Sequence, residues 1–408
     1  MITGRDIIYI SSIEWDFLWQ AHQEIARQLA TAGNRVLYIE NTGVRTPGLR
    51  DAKRVAGRLG RWIRALRSGG AREVTKNIFV YSPLVLPPFG PRWQRFLNRR
   101  VLLRQLKQIT RAMGIRDPVL WTYLPTDTAV DIIRNHRTDQ SVIVYYNCAD
   151  FSYLTPKAKR LEKIEQELVR LSDLVFATCS EQGQKLSRDN REFSPHIFPP
   201  GVDMSAFPEE ASQPVDPNDS LNFSALPRPI IGYVGGLHRF VDYDLVAAMA
   251  QARPSWSWVF LGAHQAPLDK IEGLNNVHLP GQQPHETLSA HLKSFDVCIV
   301  PYLNTPETAS IVPTKINEYL AAGKAIVSTD LPTVCEFNAK HRVLLTSTPM
   351  PQDFLLAIEA QLVTARDPLE RKRRREVASQ ADWKMRIEEM SRLIEVEIAS
   401  RSVVLVPD

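Results

Sequence analysis

Lys315 and Glu318 are the two residues of this chain whose types and spacing best suit chemistry. Pro313 is predicted to be the first residue of a helix, which puts Thr314 and Lys315 in the first turn and Glu318 one turn later on the same side. A cation there opposes the helix dipole and costs about 0.3–1 kcal/mol, so we expect an anion nearby. Backbone N–H groups, a hydroxyl and an ammonium would bind phosphate, and Glu318, roughly 5.4 Å further on, would accept hydrogen bonds from a ribose. An ordinary surface pair of lysine and glutamate is the alternative interpretation.

Two strands must hold this helix in place. Short apolar runs at 297–301 and 325–328 predict the strands before and after it, and Gly323 is predicted to end it. The side of the helix opposite Lys315 carries the apolar residues that would pack on the sheet, namely Ile316, Tyr319 and Leu320.

The run PTKINEYLAAGKAIVST at 313–329 resembles the donor-binding segment of GT-B glycosyltransferases, in the broad group similar to family 4. The resemblance implies that Glu318 binds the donor ribose and that Thr314 and Lys315 bind the diphosphate. That family often has a second glutamate eight residues earlier, toward the transferred sugar. Here that position is Ser310, with Glu307 close by but off the spacing.

A second part of the implied donor site follows the predicted strand at 229–234. Gly235 and Gly236 would let the backbone approach a ligand closely, although such a pair is often only a turn. The family has a diphosphate-binding arginine where this chain has Gly236, and Arg239 is the candidate substitute. Gln282, in a loop after another predicted strand, corresponds to the loop that holds the nucleobase in the family.

The composition is that of a globular protein of two domains, with 408 residues of which 44% are hydrophobic. Four cysteines without a CxxC pair predict buried thiols in a reducing cytoplasm, and no His/Cys cluster predicts a metal site. We find neither a signal peptide pattern nor an uncharged apolar run of about 18 residues. The expected location is cytoplasmic.

The net charge of +5 is unevenly distributed. Residues 1–111 hold 20 Lys/Arg and 7 Asp/Glu, a net +13, which leaves 30 against 38, or −8, for the remainder. Segments 49–67 and 91–113 predict basic amphipathic helices that either dock on their own domain or adsorb to the anionic inner face of the cell membrane. No nucleic-acid partner is expected, because no stacking motif or recognition helix accompanies the charge.

The order of elements predicts the fold class. A strand, helix and strand at 6–11, 20–32 and 35–40 begin a parallel sheet, and the pattern restarts at 229, but no G-x-G-x-x-G fingerprint marks a dinucleotide site. The sequence PPGVD at 199–203 resembles the end of the first GT-B domain. We therefore predict an α/β protein of two doubly wound Rossmann-like domains facing a cleft. The predicted parts are an N-terminal acceptor-side domain at 1–207, a linker at 208–228, a nucleotide-sugar domain at 229–378 and a C-terminal helix at 379–408 that crosses back.

The acceptor side is expected at the loops that follow strands of the first domain. Asp150, after the strand predicted at 141–146, is the first candidate to orient or deprotonate an acceptor hydroxyl, and His22 and Tyr123 are the reserves. The alternatives are that Asp150 caps the next turn and that His22 is structural.

The resemblance implies transfer of a sugar from a nucleoside diphosphate sugar, without metal or other cofactor and with retention of configuration. The run WDFLWQAHQ at 15–23 also resembles transferases of cell-wall and capsular polysaccharide synthesis. This favours a polysaccharide or glycolipid acceptor in envelope biosynthesis. A sugar-nucleotide epimerase on the same fold and a catalytically silent donor-binding scaffold are the alternatives.

Overall fold

The computed structural model describes residues 1–17, 19–40, 70–83, 91–155, 157–188, 194–209, 223–284 and 287–403. The predicted basic helix at 49–67 and most of the predicted linker lie outside these residues. The chain divides into two compact units, one of Met1–Pro199 with Lys384–Asp408 and one of Pro200–Trp383. The divisions fall within nine residues of the predicted boundaries at 207 and 378.

The first unit is built on a sheet in the order β3-β4-β2-β1-β5-β6-β7-β8, parallel except where β3 meets β4. Its central strands are continuous apolar runs such as IVYY, which is typical of parallel sheets that are covered on both faces. Its strands are β1 (Asp6–Ile10), β2 (Arg35–Ile39), β3 (Arg72–Thr75), β4 (Ile78–Tyr81), β5 (Val119–Thr122), β6 (Ile143–Asn147), β7 (Leu174–Ala177) and β8 (His196–Ile197).

Two of the described helices of the first unit begin with clear capping signals. Gln20 and Gln23 form a reciprocal capping box at the first helix, and Thr126 accepts a hydrogen bond from the backbone N–H of Ala129 at the third. The described helices are α1 (Ala21–Thr31), α2 (Arg92–Ala112), α3 (Asp127–His136), α4 (Ala158–Leu171) and α5 (Ser180–Ser187).

Helix α2 divides into two halves with different surroundings. Leu102, Leu106 and Ile109 are buried, as the docking interpretation of the 91–113 segment predicts. Near the start of the helix, in contrast, Trp93 is 60% and Phe96 63% exposed. The stripe therefore docks on the domain along its second half and presents apolar side chains to solvent along its first.

The second unit has an all-parallel sheet in the order β11-β10-β9-β12-β13-β14. The chain proceeds outward from β9 in one direction through β10 and β11, then returns to place β12 on the other side of β9. In open α/β sheets ligands bind beyond the carboxyl ends of the strands at such a reversal point. The strands are β9 (Ile230–Val234), β10 (Ser257–Leu261), β11 (Val277–Gly281), β12 (Val297–Val300), β13 (Ala325–Thr329) and β14 (Leu345–Ser347).

Helices connect consecutive strands except β10 and β11, and the last three described helices follow β14. Those described are α6 (Tyr243–Ala252), α7 (Leu288–Ser294), α8 (Lys315–Ala321), α9 (Pro332–His341), α10 (Pro351–Thr364), α11 (Pro368–Ser379) and α12 (Trp383–Val403). The first residue of α12 belongs to the second unit and the rest to the first. No helix in the described ranges is long and apolar enough to cross a membrane. The predicted α/β class with two parallel-sheet domains is confirmed.

Candidate functional site

Helix α8 is fixed against the end of β9 by its buried side. Ile316, Tyr319 and Leu320 are buried, which confirms the predicted packing face. The Tyr319 hydroxyl accepts a hydrogen bond from the backbone N–H of Val234 at 2.8 Å and donates to its carbonyl at 3.3 Å. The start of α8 is thereby held beside the carboxyl end of the strand.

The prediction that Pro313 begins this helix is wrong by two residues. Thr314 is the N-cap and Lys315 the first helical residue. The carbonyl of Pro313 accepts from the N–H of Ile316 at 3.1 Å, three residues on, so the chain enters α8 through a tight 3₁₀-like turn. Because α8 has only seven residues, its dipole alone is a weak anion site, and the side chains matter more than predicted.

Lys315 is a buried cation, 7% exposed. Its ammonium donates a hydrogen bond to the hydroxyl of Tyr302 and lies 4.7 Å from the ring centroid of Tyr302 and 5.1 Å from that of Tyr233. No carboxylate among the described residues pairs with it. A buried ammonium is normally paired, and cation–π contacts replace only part of the lost hydration, so this position favours an incoming anion.

Glycines end the three neighbouring strands β9, β10 and β11, and the first of these glycines lies beside this ammonium. Gly235 follows β9 at φ +137°, and a β-carbon there would lie 3.0 Å from Cε and 3.4 Å from Nζ of Lys315. Gly262 follows β10 at φ +156°, where a β-carbon would overlap the carbonyl of Gly235. Gly281 ends β11 at φ +80°. Only glycine fits these conformations and approaches, so the backbone at this edge is open to a ligand.

Three further side chains complete the cluster that we call the Lys315 cluster: Tyr233, His238 and Tyr302. The Tyr302 hydroxyl lies 3.2 Å from Nε2 of His238, and the Tyr233 hydroxyl donates to the carbonyl of Gly236 at 3.0 Å. Burial, with help from the Lys315 charge, lowers the pKa of His238 to about 4. The imidazole is therefore neutral near pH 7 and adds no second positive charge beside Lys315.

Sequence reasoning missed Gly262, Tyr302 and His238 as parts of this site. Gly262 had a usable signal, since it follows the buried run SWVFL just as Gly235 follows IIGYV. Tyr302 and His238 had only the general signal that they follow strands.

Arg239 and Gly236 lie beside the cluster but in contacts of their own. The Arg239 guanidinium forms a two-point ion pair with Glu307, at 2.8 Å for Nη1 to Oε2, and lies 4.6 Å from the ring of Phe240. A β-carbon on Gly236 would be 3.0 Å from the Gln265 amide. Arg239 lies three residues after Gly236 in the chain. As a substitute for the family's arginine, it would bind the diphosphate while its guanidinium also pairs with Glu307.

The remaining predicted donor-side residues occupy the same unit. Ser310 is buried in the loop before α8, while Thr314 is exposed and its side chain makes no capping hydrogen bond. Glu318 is half-buried one turn after Lys315. Gln282 is exposed directly after β11.

His22 lies in a buried cluster of the first unit. Its Nδ1 is 3.0 Å from the Ser11 hydroxyl, its ring stacks on Tyr123 at 3.7 Å, and its Nε2 is 3.6 Å from the Cys148 sulfur. Burial lowers the pKa of His22 to about 3, so it is neutral and a poor proton acceptor. These contacts favour the structural interpretation of His22, and its catalytic role stays a prediction.

Asp150 caps the short 3₁₀ helix Phe151–Leu154. Its carboxylate accepts from the backbone N–H of Ser152 at 3.0 Å and from Lys185 Nζ at 2.8 Å. Burial alone would raise the pKa of Asp150, but the hydrogen bonds from Lys185 and Ser152 outweigh it and hold the pKa below its ordinary value. The structure therefore contains the capping role that was the alternative, and a catalytic role stays a prediction.

No group of three or more His, Cys, Asp or Glu residues in the described part of the chain is arranged to hold a metal ion.

Comparison with known proteins agrees with this architecture. Residues 228–363 match the family model described as "Glycosyl transferases group 1". The solved structure of sucrose-phosphate synthase from Thermosynechococcus elongatus aligns with 97% of this chain and all of its own, at a TM-score of 0.69 and 18% identity. Anabaena Alr3699/HepE in complex with UDP aligns with 96% of this chain and all of its own, at a TM-score of 0.66 and 13% identity.

This chain has a GT-B fold. A relative in sequence is the putative teichuronic acid biosynthesis glycosyltransferase TuaH of Bacillus subtilis (strain 168), 23% identical over 258 residues. That match spans 59% of this chain and 64% of TuaH, which is less than two thirds of the relative's length. The residues matched by the family model include the whole Lys315 cluster and every predicted donor-side residue of this GT-B chain.

Proposed function

We propose that this chain is a glycosyltransferase that takes a sugar from a nucleoside diphosphate sugar. The observation that carries the proposal is Lys315, a buried ammonium that lies at the carboxyl ends of the strands and has no carboxylate partner among the described residues. A diphosphate is the anion that a donor of this class would bring to it. HepE, whose fold this chain shares, has been solved with UDP and with UDP and glucose, which supports the choice of donor.

The proposed donor lies with its diphosphate against Lys315, the Thr314 hydroxyl and the backbone of Gly235 and Gly236. Its ribose hydroxyls donate to Glu318, and its base lies toward Gln282. The family's second glutamate corresponds to Ser310, with Glu307 close by in the chain. The family's arginine corresponds to Gly236, and Arg239 is the nearby candidate substitute.

In the proposed reaction the bond between the anomeric carbon and the diphosphate oxygen breaks, and a bond from that carbon to an acceptor oxygen forms. The nucleoside diphosphate leaves with the electron pair of the broken bond and takes up the proton that the acceptor hydroxyl loses. Lys315 stabilises the negative charge that develops on the leaving oxygen, as a preorganised donor in a dry site does. We propose that this chemistry proceeds without a metal ion and with retention of configuration.

The proposed acceptor is a polysaccharide or glycolipid of the cell envelope. The name of TuaH, which refers to teichuronic acid biosynthesis, supports this class of acceptor. A cytoplasmic enzyme peripheral to the inner face of the membrane would meet such an acceptor at the lipid surface.

Helix α2 is the proposed contact with that surface. Trp93, Phe96, Leu97 and Val101 are exposed on one side of the helix, at the spacing of an apolar stripe. Arg99, Arg100 and Arg104 are exposed on the same helix, which has no acidic residue. Exposed rings flanked by arginines suit the boundary between headgroups and acyl chains of an anionic bilayer.

A donor panel tests the activity. The purified chain is incubated with UDP-, GDP- and dTDP-sugars, with and without saccharide acceptors and with EDTA in a parallel set. We expect transfer, or slow donor hydrolysis without acceptor, for one nucleotide class, and we expect EDTA to have no effect. Interconversion of the sugar would instead indicate an epimerase, and binding without turnover a silent scaffold. Failure of the parent chain to bind any donor would overturn the proposal.

A further inference from the structure

A second cavity in the second unit lies at the opposite edge of its sheet from the Lys315 cluster. Arg228 precedes β9, Asp296 precedes β12 and Lys324 precedes β13, so the cavity is at the amino ends of the strands. Helices α7 and α11, residues 207–209, and the segments at 322–323 and 365–366 supply the rest of its wall. Its volume is about 670 Å³, large enough for a ligand of several groups rather than a single ion.

The wall of this cavity is strongly basic. Seven basic side chains line it against two acidic ones, for a net charge of +5, although the chain after residue 111 carries a net −8. The basic residues are Arg228, Lys293, Lys324, Arg366, Arg371, Lys372 and Arg375, and the acidic ones are Glu209 and Asp296.

Some of these basic side chains form hydrogen bonds and ion pairs within the protein. Asp296 accepts from Arg228 at 2.7 Å and from Arg366 at 3.2 Å. Lys324 Nζ donates to the backbone carbonyls of residues 293 and 295, both at 2.8 Å. Arg375 donates to the carbonyl of Ala321 at the end of α8. Lys372 pairs with Glu376 on its own helix, with Nζ 4.0 Å from Oε1. Capping and ion pairing therefore explain five of the seven.

Lys293 and Arg371 are not explained in this way. Both side chains are exposed in the cavity, and neither forms a hydrogen bond or ion pair within the described residues. Burial is the main reason that the pKa of Lys324 is lowered to about 8, and the positive charge of Arg371 lowers it further, so these two cations repel each other. A ligand with two or more negative charges would relieve this repulsion.

We propose that this cavity binds a phosphate-bearing ligand through Lys293 and Arg371, at a site separate from the Lys315 cluster. Guanidinium groups bind phosphate through two parallel hydrogen bonds, and four arginines line this wall. Its two aromatic residues, Phe207 and Phe295, are buried and offer no exposed ring for a base to stack on. Recognition is thus of the phosphate group, carried by a lipid headgroup or by a soluble phosphate ester.

Calorimetric titration of the full chain with pyrophosphate tests this site. The variant Lys293→Gln/Arg371→Gln removes the two unexplained charges, and Lys76→Gln/Lys340→Gln removes two exposed lysines outside the cavity. Lys315→Met removes the other candidate phosphate site. We expect pyrophosphate to bind the cavity variant about tenfold or more weakly, as loss of charge-assisted hydrogen bonds implies. We expect this binding to persist in Lys315→Met and in the lysine control.

Two soluble ligands separate the sources of the phosphate. Dihexanoyl phosphatidylglycerol below its micelle concentration stands for a lipid headgroup, and glycerol 3-phosphate for a free ester. If the cavity variant loses the binding of one of these two ligands, the result supports the site, and that ligand identifies the source of the phosphate group. Equal losses in the cavity variant and the lysine control would mean unspecific attraction and overturn the proposal. So would unchanged pyrophosphate binding in the cavity variant, or none in the parent. Because Lys315→Met is titrated separately, failure here is distinct from failure of the donor site.

Discussion

Lys315 keeps its charge available because aromatic rings, rather than a carboxylate, surround it. A carboxylate partner would stabilise the folded protein but cancel the field that a diphosphate meets. Tyr302 contributes both its ring and its hydroxyl, so these two contributions are separable by substitution.

Tyr302→Phe keeps the ring and removes the hydroxyl that accepts from Lys315. We expect UDP, or the nucleotide that the donor panel identifies, to bind about three- to tenfold more weakly, since one hydrogen bond that orients the ammonium is lost. Tyr81→Phe is the matched control, because its hydroxyl donates to Gln105 in the other unit. Calorimetry makes the comparison, and equal affinities for Tyr302→Phe and Tyr81→Phe would show that the hydroxyl does not position Lys315.

Glu318→Ala tests the proposed ribose contact. We expect nucleotide binding to weaken by about 1.5–3 kcal/mol, because hydrogen bonds to a charged acceptor are lost. The same titration with the 2′,3′-dideoxy nucleotide should show little difference between parent and variant. If the variant weakens both nucleotides equally, Glu318 supports the fold of α8 rather than the ribose.

Asp150→Asn separates capping from catalysis. Asparagine caps as well as aspartate, but it loses the ion pair with Lys185. The structural contacts lead us to expect a folded variant with turnover within about threefold of the parent and stability lowered by at most about 1 kcal/mol. Turnover and denaturation are the measurements. A folded, donor-binding variant without turnover would restore Asp150 as a catalytic residue.

At the scale of elements, apolar runs made the strands and most helices predictable. The helix predicted at 20–32 lies within one residue of α1 at each end, and β9 lies within one residue of its predicted start. The start of α8 was misplaced because proline at the first helical position is a general preference, and here Pro313 instead supplies the carbonyl of a tight turn. Local sequence preference predicts that α8 exists, whereas its hydrogen bonds determine the residue at which it begins.

Helix α2 carries the membrane prediction at this scale. Trp93→Ser/Phe96→Ser removes two exposed rings, and we expect it to reduce sedimentation with phosphatidylglycerol vesicles because insertion of apolar surface is lost. Val363→Ser/Leu369→Ser, which removes exposed apolar side chains from the second unit, is the control. Binding of the parent should fall steeply with salt and be weak on phosphatidylcholine. A parent that ignores anionic vesicles at low salt would reject this role of α2.

At the scale of the whole molecule, the two-unit division was visible in the restart of the strand pattern at residue 229. The Lys315 cluster was not visible, because it joins residues 233, 238, 302 and 315, which only the parallel order of β9 and β12 brings together. The basic cavity was equally hidden, since 228, 293, 324 and 371 come from four separate elements. Sequence spacing reports neighbours within one helix or strand, whereas these sites depend on contacts between distant elements.

The buried histidines predict how stability depends on pH. The folded pKa is about 3 for His22 and about 4 for His238, below the ordinary 6.5 of the unfolded chain. The unfolded chain therefore binds more protons between these values, so stability is full above pH 6.5 and falls as the pH drops toward 4. Each histidine contributes a slope of about 1.4 kcal/mol per pH unit where only the unfolded form is protonated. Denaturant unfolding from pH 7.5 to 5 should show a shallower slope in His238→Gln than in the parent, and identical slopes would contradict this assignment.

The most direct test of the central claim is calorimetric titration of the parent and of Lys315→Met with UDP, GDP and dTDP, each paired with its nucleoside. If Lys315 receives the donor diphosphate, one nucleotide binds the parent, and the methionine variant binds it about ten- to a hundredfold more weakly, as expected for a lost charge-assisted contact. The paired nucleoside should bind both proteins alike. A folded variant that binds the nucleotide as tightly as the parent, or a parent that binds none of the three, would contradict the account.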